Sequence, residues 1–249
     1  PRFATADLSS WRLACSGGAP VPPTLLKAVQ ARGIPMLQMF SLTESSAAGT
    51  VLPNADALRK VGSAGIPIIH GGLKIADDDD NEVPVGEVGE ILLSGPHVMA
   101  GYWNNPEASI AALRGGWLHT GDLGRVDEEG YLYVVDRKKD MLISGGLNVY
   151  PAEIERVLAG MPGIIEVAVI GVPHEKWGEA PAVVVFTGGA EVKAEDVLAR
   201  CKAQLADFKL PRYFHVSPTP LPRNMSGKIL KRELKIELAH LPQTSQAIR

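Results

Sequence analysis

The stretch Asp136-Arg-Lys-Lys-Asp-Met-Leu-Ile-Ser-Gly-Gly-Leu-Asn-Val-Tyr-Pro-Ala-Glu153 decides how this chain is read. A short apolar run, Met141 to Ile143, stands between a dense charge cluster and a double glycine. Gly145 and Gly146 predict a turn, and Pro151 predicts the first residue of a new helix with Ile154, Val157 and Leu158 inward. Charge cluster, short strand, glycine turn and proline-started helix together read as a domain junction beside a ligand.

Upstream of the junction the pattern changes twice. Trp11–Cys15 predicts a strand that ends in Gly17-Gly18. Pro22-Pro23 predicts a helix with Leu25, Leu26 and Val29 on one face, stopped by Gly33. Ile34–Phe40 predicts a second strand. Strand, helix, strand at this spacing is a right-handed parallel βαβ unit, with ligands expected at the carboxyl ends of its strands. Residues 61–136 then read as short strands (Gly72–Ala76, Gly89–Ser94, Leu123–Val126, Tyr131–Val135) between Gly, Asp and Asn turns, an antiparallel β subdomain. The run Asp77–Asp80 reads as a solvated hairpin tip, since it lacks the glycine and the downstream glutamate of a calcium loop.

Downstream the chain resets. A helix (Pro151–Ala159), two strands (Ile165–Val172 and Ala182–Thr187), a helix (Ala194–Ala206), a strand (Tyr213–Val216) and a last helix with Leu230, Leu234 and Leu238 make an α+β domain of roughly 110 residues. The expected division is therefore 1–137, made of a βαβ part (1–60) and a β subdomain (61–137), followed by 138–249.

Composition narrows the function classes. The 249 residues are 45% hydrophobic, enough for one large or two ordinary cores. A net charge of −3 gives no reason to expect a nucleic-acid or membrane-surface partner. From Asp207 onward, however, eight Lys or Arg face three Asp or Glu, which suits either a polyanionic small ligand or a solvated basic helix. Two cysteines are too few for a disulfide framework or a zinc site, and both Cys15 and Cys201 read as buried thiols. Asn224-Met-Ser226 matches a glycosylation triplet only by accident, with no leader segment to accompany it. No apolar run is long enough to span a membrane, and a cytoplasmic protein is expected. Nothing in the pattern bears on oligomeric state.

Four short motifs carry chemistry. Thr43-Glu44 follows the second strand; a hydroxyl and a carboxylate there can hold a phosphate oxygen and its magnesium, although Thr-Glu is also a common helix start. Thr120-Gly-Asp122 reads as a turn before a strand, its carboxylate able to accept from two ribose hydroxyls or simply to cap the turn. His174-Glu begins like a zinc helix but has no second histidine. Leu221-Pro-Arg-Asn-Met-Ser-Gly-Lys228 is a glycine-flexed loop ending in a lysine. It is not a phosphate-cradling P-loop, because the first glycine is missing and Ile229 replaces Ser or Thr.

Taken in order, these motifs resemble those of the adenylate-forming superfamily of acyl-CoA synthetases, luciferases and carrier-protein adenylation domains, and the resemblance covers essentially the whole chain. It implies an AMP-forming acid–thiol ligase using ATP, Mg²⁺ and CoA on a small carboxylic acid through an acyl-adenylate. Lys228, Thr43 and Glu44 are then catalytic, with Glu44 the magnesium ligand. Gly18, Ala19, Pro20, Gln38, Phe40, Ser41, Thr43, Asp122, Arg137 and Lys228 contact the nucleotide. Gln38 and Phe40 border the adenine, Asp122 and Arg137 the ribose, and Lys228 bridges the substrate carboxylate and the α-phosphate. Lys139 is the hinge on which the C-terminal domain rotates. Gly145, Gly146, Trp177, Phe208 and Lys209 line the CoA path.

The chain departs from the family at Ser41, Leu147 and Leu210, where Gly, Glu and a basic residue are usual. The family's Ser/Thr/Gly-rich phosphate loop is absent, and the first residue is Pro1. The expectation is a C-terminal half, nearly inactive by itself, whose motifs resemble those of fatty-acid and aryl-acid ligases. A carrier-protein adenylating enzyme and a non-catalytic nucleotide-binding half-protein are the alternatives.

Overall fold

A computed structural model describes residues 2–18, 21, 23–225, 227–244 and 247–249. The chain divides into two compact units, Pro1–Val135 and Asp136–Arg249.

In the first unit a short helix α1 (Arg2–Thr5) precedes strand β1 (Ala14–Gly17), helix α2 (Pro23–Gln30) and strand β2 (Met36–Phe40). β1 and β2 run parallel, with Ser16 opposite Gln38 and Gly17 opposite Met39. Leu26 and Val29 of α2 pack on Ile34, Met36 and Leu52, which closes the βαβ unit. Leu25 is the exception on that helix and faces outward. β3 (Thr50–Leu52) and β4 (Ile66–Pro67) extend this sheet in the order β1-β2-β3-β4. β1 is three residues shorter at its start than expected. Cys15 corrects an expectation: it is exposed. Ala14 turns inward to the core and Cys15, next along an alternating strand, turns out.

The second sheet of this unit is antiparallel, order β5-β6-β7-β8, from β5 (Gly72–Ala76), β6 (Gly89–Ser94), β7 (Leu118–Val126) and β8 (Leu132–Arg137); helix α3 (Pro106–Ala112) lies between β6 and β7. Ile75, Ile91, Leu93, Leu118 and Leu132 form its core, and Phe40 and Leu42 from the end of β2 pack against them. Asp77 closes the β5–β6 tip by accepting from the N–H groups of Asp79 and Asn81, both at 2.9 Å. Among the described residues no group of acidic, His or Cys side chains is arranged to hold a metal ion.

The second unit has one five-stranded sheet. β9 (Leu142–Ser144) and β10 (Leu147–Val149) form a hairpin, helix α4 (Pro151–Leu158) follows, and β11 (Glu166–His174) pairs with β12 (Gly178–Phe186) over nine residues. Helix α5 (Ala194–Lys202), strand β13 (Tyr213–Ser217), helix α6 (Lys231–Glu237) and α7 (Leu241–Thr244) complete it. β13 joins β12 in parallel. The period of two is strict in β11: Ala168, Ile170 and Val172 face α6 and α7 through Leu234, Leu238 and Leu241. Val169 faces α4 and α5 through Ile154, Leu158, Val197 and Cys201. A strand covered on both faces reads as an unbroken apolar run, as this one does. Burial raises the Cys201 thiol pKa to about 11, so it is an inert core residue.

The boundary between the units falls two residues before the expected 137/138 junction. It falls inside β8, whose last two residues, Asp136 and Arg137, belong to the second unit. The buried carboxylate of Asp136 accepts from Arg137 N at 2.7 Å and from Ala152 N, in the first turn of α4, at 2.8 Å.

The first unit also carries an ionic knot. Lys60 Nζ lies 2.7 Å from Asp127 Oδ2 and 2.6 Å from Glu129 Oε1, and the Tyr131 hydroxyl donates to Asp56 Oδ2 at 2.8 Å. The Tyr131 and Arg59 hydrogen bonds hold Asp56 below the ordinary carboxylate range, and those from Lys60 and Arg59 do the same for Glu129. Burial pushes Asp127 up, but Lys60 and two backbone N–H groups outweigh it and leave it lowered. Carboxylates lowered in the fold contribute stability that is present above their unfolded values, ~4, and is lost as pH falls through the folded ones. Differential scanning calorimetry should show a melting temperature that drops from about pH 5 to about pH 3, and drops less in Lys60→Gln. Equal drops in the two proteins would contradict this.

Candidate functional site

At the carboxyl end of β2 the chain makes one turn of 3₁₀ helix, Thr43–Ser45. Ser45 is fully buried, and its hydroxyl bonds both the N–H and the C=O of Leu42 at 3.1 Å. This lock holds the turn and leaves Thr43 exposed and Glu44 half-buried. Glu44 is fixed at both ends: its carbonyl accepts from Met99 N at 2.8 Å, and its Oε1 accepts from the Tyr102 hydroxyl at 2.9 Å. Burial, with Glu44 adding to it, raises the Tyr102 pKa, so the phenol stays a donor. The segment Gly101-Tyr-Trp-Asn104 gives no sign of this role in sequence, and the Tyr102 hydroxyl is a partner that only the fold reveals.

Gln38 and Phe40 precede the turn on β2. Gln38 is buried at 6% exposure, and its Nε2 has no partner among the described residues. A buried amide donor without an acceptor is costly unless a ligand supplies one, and a purine ring nitrogen or carbonyl has that chemistry. Phe40 and Ser41 are half-buried beside it. Gly18, on the neighbouring loop, has a left-handed φ of +79°. Ala19 and Pro20 lie outside the described residues.

Asp122 corrects one expectation. Thr120-Gly121-Asp122 is not a turn ahead of a strand; it lies inside β7. The pairing jumps from Leu92↔His119 to Glu90↔Leu123, so three residues of β7 stand opposite Ile91 alone. This is a bulge, and Gly121 supplies the left-handed φ of +70° that it needs. Thr120 Oγ1 donates to Ile91 O at 2.7 Å and accepts from Asp122 N at 3.1 Å. Gly121 N donates to the buried Glu90 at 3.0 Å. Bulges re-aim side chains, and this one sets the direction of Asp122, a carboxylate 9% exposed.

In the second unit, the turn Lys138–Asp140 is closed by the N–H groups of Asp140 and Met141, both on Arg137 O at 3.0 Å. Arg137 and Lys139 are exposed. The stretch is a tight turn rather than a segment of a helix, so backbone rotation there disturbs no helical ladder.

Gly145 and Gly146, with φ of +60° and +81°, are the two-residue loop of the β9–β10 hairpin, as its right-handed twist requires. Gly145 N donates to Trp177 O at 2.9 Å, and a Cβ on Gly145 would meet Trp177 Cε3 at 2.6 Å. The indole therefore lies directly on the glycine. Lys176 and Arg212 sit 4.7 and 4.9 Å from its ring centroid. Trp177 is half-buried, not part of a fully buried core. Phe208 is 39% exposed, while Lys209 Nζ is engaged by both oxygens of Glu153 at 2.8 and 2.7 Å. Leu210 is buried at 3% in the core shared by α4 and α5, which accounts for an apolar residue there.

Lys228 is exposed at the end of a small hairpin in which Arg223 pairs with Ile229. Asn224 Oδ1 accepts from Lys228 N at 2.9 Å, Asn224 N donates to Lys228 O at 3.0 Å, and Gly227 turns at a φ of +81°. Ser226 lies outside the described residues.

Comparison with known proteins decides the family. The model for AMP-binding enzymes matches residues 1–103, and that for the AMP-binding enzyme C-terminal domain matches residues 153–228. The chain belongs to the AMP-binding enzymes. Among curated relatives of this family, a feruloyl-CoA synthase of an Amycolatopsis species is 46% identical over 236 residues, 94% of this chain and 48% of that protein. The long-chain-fatty-acid–CoA ligase FadD13 of Mycobacterium tuberculosis is 46% identical over 235 residues, 94% of this chain and 46% of that protein. Among solved structures, the o-succinylbenzoate coenzyme A synthetase (MenE) of Bacillus subtilis in complex with ATP and magnesium superposes with a TM-score of 0.87 at 38% identity, covering 94% of this chain and 48% of that one. The chain spans about half the length of the curated relatives it matches. No helix among the described residues is long and apolar enough to cross a membrane.

The glycine–indole contact gives a direct test. Gly145→Ala forces a side chain into the left-handed region and against the Trp177 ring, at a cost of about 1–3 kcal/mol. Chemical denaturation should show that loss. A variant as stable as the parent would contradict the stacking.

Proposed function

We propose that this AMP-binding enzyme is an AMP-forming acid–thiol ligase that converts a carboxylic acid, ATP and CoA into acyl-CoA, AMP and pyrophosphate. In the first step a carboxylate oxygen attacks the α-phosphorus of ATP, and the bond to the leaving pyrophosphate breaks. In the second, the CoA sulfur attacks the acyl carbon of the acyl-adenylate, loses its proton, and AMP leaves.

The observation that carries this reading is Lys228, an exposed ammonium on a hairpin whose backbone is hydrogen-bonded on both sides of it. An ammonium so presented can offset the charge that develops at the α-phosphate. The two carboxylates of the first unit take the complementary tasks. Asp122, aimed by its bulge, accepts from the ribose hydroxyls, with Arg137 as the second ribose contact. Glu44, fixed by Tyr102, is the residue that would hold Mg²⁺, which neutralises phosphate charge when bound. Thr43 contacts phosphate. Gly18, Ala19 and Pro20 border the adenine on one side, and Gln38, Phe40 and Ser41 on the other; the unpartnered Gln38 amide supports that placement.

For the thiol, the Gly145–Gly146 turn packed against the Trp177 ring is the support for a pantetheine arm, with Phe208 and Lys209 as further CoA contacts. The Glu153 pair leaves Lys209 a partly neutralised contact. Lys139 is the hinge on which the C-terminal domain, 138–249, turns between the two steps. Relatives named for feruloyl, indoleacetate, o-succinylbenzoate and long-chain fatty acids favour an aryl or fatty acid as substrate. Two free cysteines suit a reducing compartment, and the cytoplasm is the proposed location.

The decisive experiment uses the longest natural chain that carries these residues. Lys228→Ala should lower the rate of acid-dependent pyrophosphate release on the order of 10²–10³-fold. Unchanged release would remove the catalytic assignment.

A further inference from the structure

The lysine hairpin does not stand by itself. It is tied to the sheet by a carboxylate–guanidinium strut that lies outside the motif residues given roles so far. Glu166, the first residue of β11, is a partly buried carboxylate with 16% of its side chain exposed. Its Oε2 accepts from the backbone N–H of Leu221 at 2.7 Å. Its Oε1 accepts from Arg223, from Nε at 3.2 Å and from Nη2 at 2.8 Å. The remaining arm of the same guanidinium, Nη1, donates to the carbonyl oxygen of Gly227 at 2.5 Å. Arg223 therefore spans from the sheet edge to the residue immediately before Lys228.

We infer that Glu166 and Arg223 are positioning residues for Lys228, a rigid strut that fixes the backbone from which the ammonium is presented. The inference rests on the adenylation role proposed for Lys228. Three features make the strut specific. The turn passes through Gly227, a residue in the left-handed region with no side chain, and Asn224 closes it only on itself, whereas the strut reaches from it to the sheet. The guanidinium is planar and its donors point in fixed directions, so one side chain holds a carboxylate and a carbonyl at once. An ammonium at the same place has no such fork. Finally, the far side of the loop is anchored separately: Leu230 N donates to Pro222 O at 2.8 Å, and Lys231 Nζ bonds Glu155 Oε1 at 2.8 Å. Glu155 in turn accepts from Val169 N at 2.7 Å. The hydrogen bonds of Asn224 close the turn on itself, and the strut ties that closed turn to the sheet; its loss releases the turn from Glu166 while the ends of the loop stay attached.

A long lysine side chain delivers charge within a fraction of an ångström only if its Cα is fixed. A misplacement of about 1 Å costs on the order of 10²-fold in rate. The strut belongs to the step that uses the ammonium. The thiol step, which starts from a preformed acyl-adenylate, does not depend on it.

The test separates the two half-reactions in the longest natural chain carrying these residues. Arg223→Lys keeps the charge and removes the fork. It should lower kcat for acyl-adenylate formation, followed as acid-dependent ATP–pyrophosphate exchange, by roughly 10–100-fold. KM for ATP should stay within about twofold, because the nucleotide-binding carboxylates are untouched. Thioester formation from synthetic acyl-adenylate and CoA should be unchanged, which also shows that the variant is folded. Glu166→Gln, whose amide oxygen still accepts from Leu221 N, should show a smaller loss confined to the same half-reaction. Parental exchange in Arg223→Lys, or equal loss in both half-reactions, would overturn the strut. Parental exchange in a Lys228→Ala control would instead overturn the lysine reading on which it rests.

Discussion

Asp136 accepts the N–H of Arg137 at 2.7 Å and that of Ala152 at 2.8 Å, and the turn that begins at Lys138 is held at its base by this one buried carboxylate. The same interaction recurs at three other loops of this protein. Glu90 accepts Gly121 N beside Asp122, Glu166 accepts Leu221 N ahead of Lys228, and Asp127 accepts the N–H groups of Glu129 and Tyr131 in the ionic knot. The physical reason is common to all. Loops and bulges leave backbone donors outside any ladder, and a partly buried donor needs a partner. An ionised acceptor makes a shorter and stronger bond than a neutral one. Acidic side chains therefore help set the shape of these loops, while the Ser45 hydroxyl and the Asn224 amide do the same for the turns that carry Glu44 and Lys228.

This arrangement divides labour between rigid and movable segments. Strands β11 and β12, buried on both faces, give the second unit a stiff sheet from which the lysine hairpin is hung. The Lys138–Asp140 turn, by contrast, exposes Lys139 and is closed by the N–H groups of Asp140 and Met141 on Arg137 O. The rotation proposed at Lys139 and the presentation proposed for Lys228 are compatible, because the two are assigned to different segments.

Much of this was legible in the sequence, and the reasons are local. The parallel βαβ unit follows from apolar runs spaced by a helix and stopped by Gly33. The turn at Gly145-Gly146 follows from two residues that readily adopt φ values of +60° and +81° in succession, although β10, which makes it a hairpin, was not legible. What was illegible depends on residues far apart in the chain. A glycine in a bulge looks like a glycine in a turn, and only pairing with β6 places Thr120–Asp122 inside a strand. Cys15 reads as buried because its neighbours are apolar, yet strand alternation turns it outward. The partners Glu90, Glu153, Glu166 and Tyr102 are ordinary residues in sequence. Their importance comes from lying 31 residues from Gly121, 56 from Lys209, 57 from Arg223 and 58 from Glu44.

The nucleotide site proposed above depends on the bulge-aimed carboxylate of Asp122 holding the ribose. The most direct measurement is a cycle of equilibrium affinities for AMP and 2′,3′-dideoxy-AMP in the parent and in Asp122→Ala. In the parent, loss of the two hydroxyls should weaken binding by roughly 10–100-fold, the worth of hydrogen bonds to a charged group. In the variant, the two nucleotides should bind alike. A hydroxyl preference that persists undiminished without the Asp122 carboxylate would contradict the account.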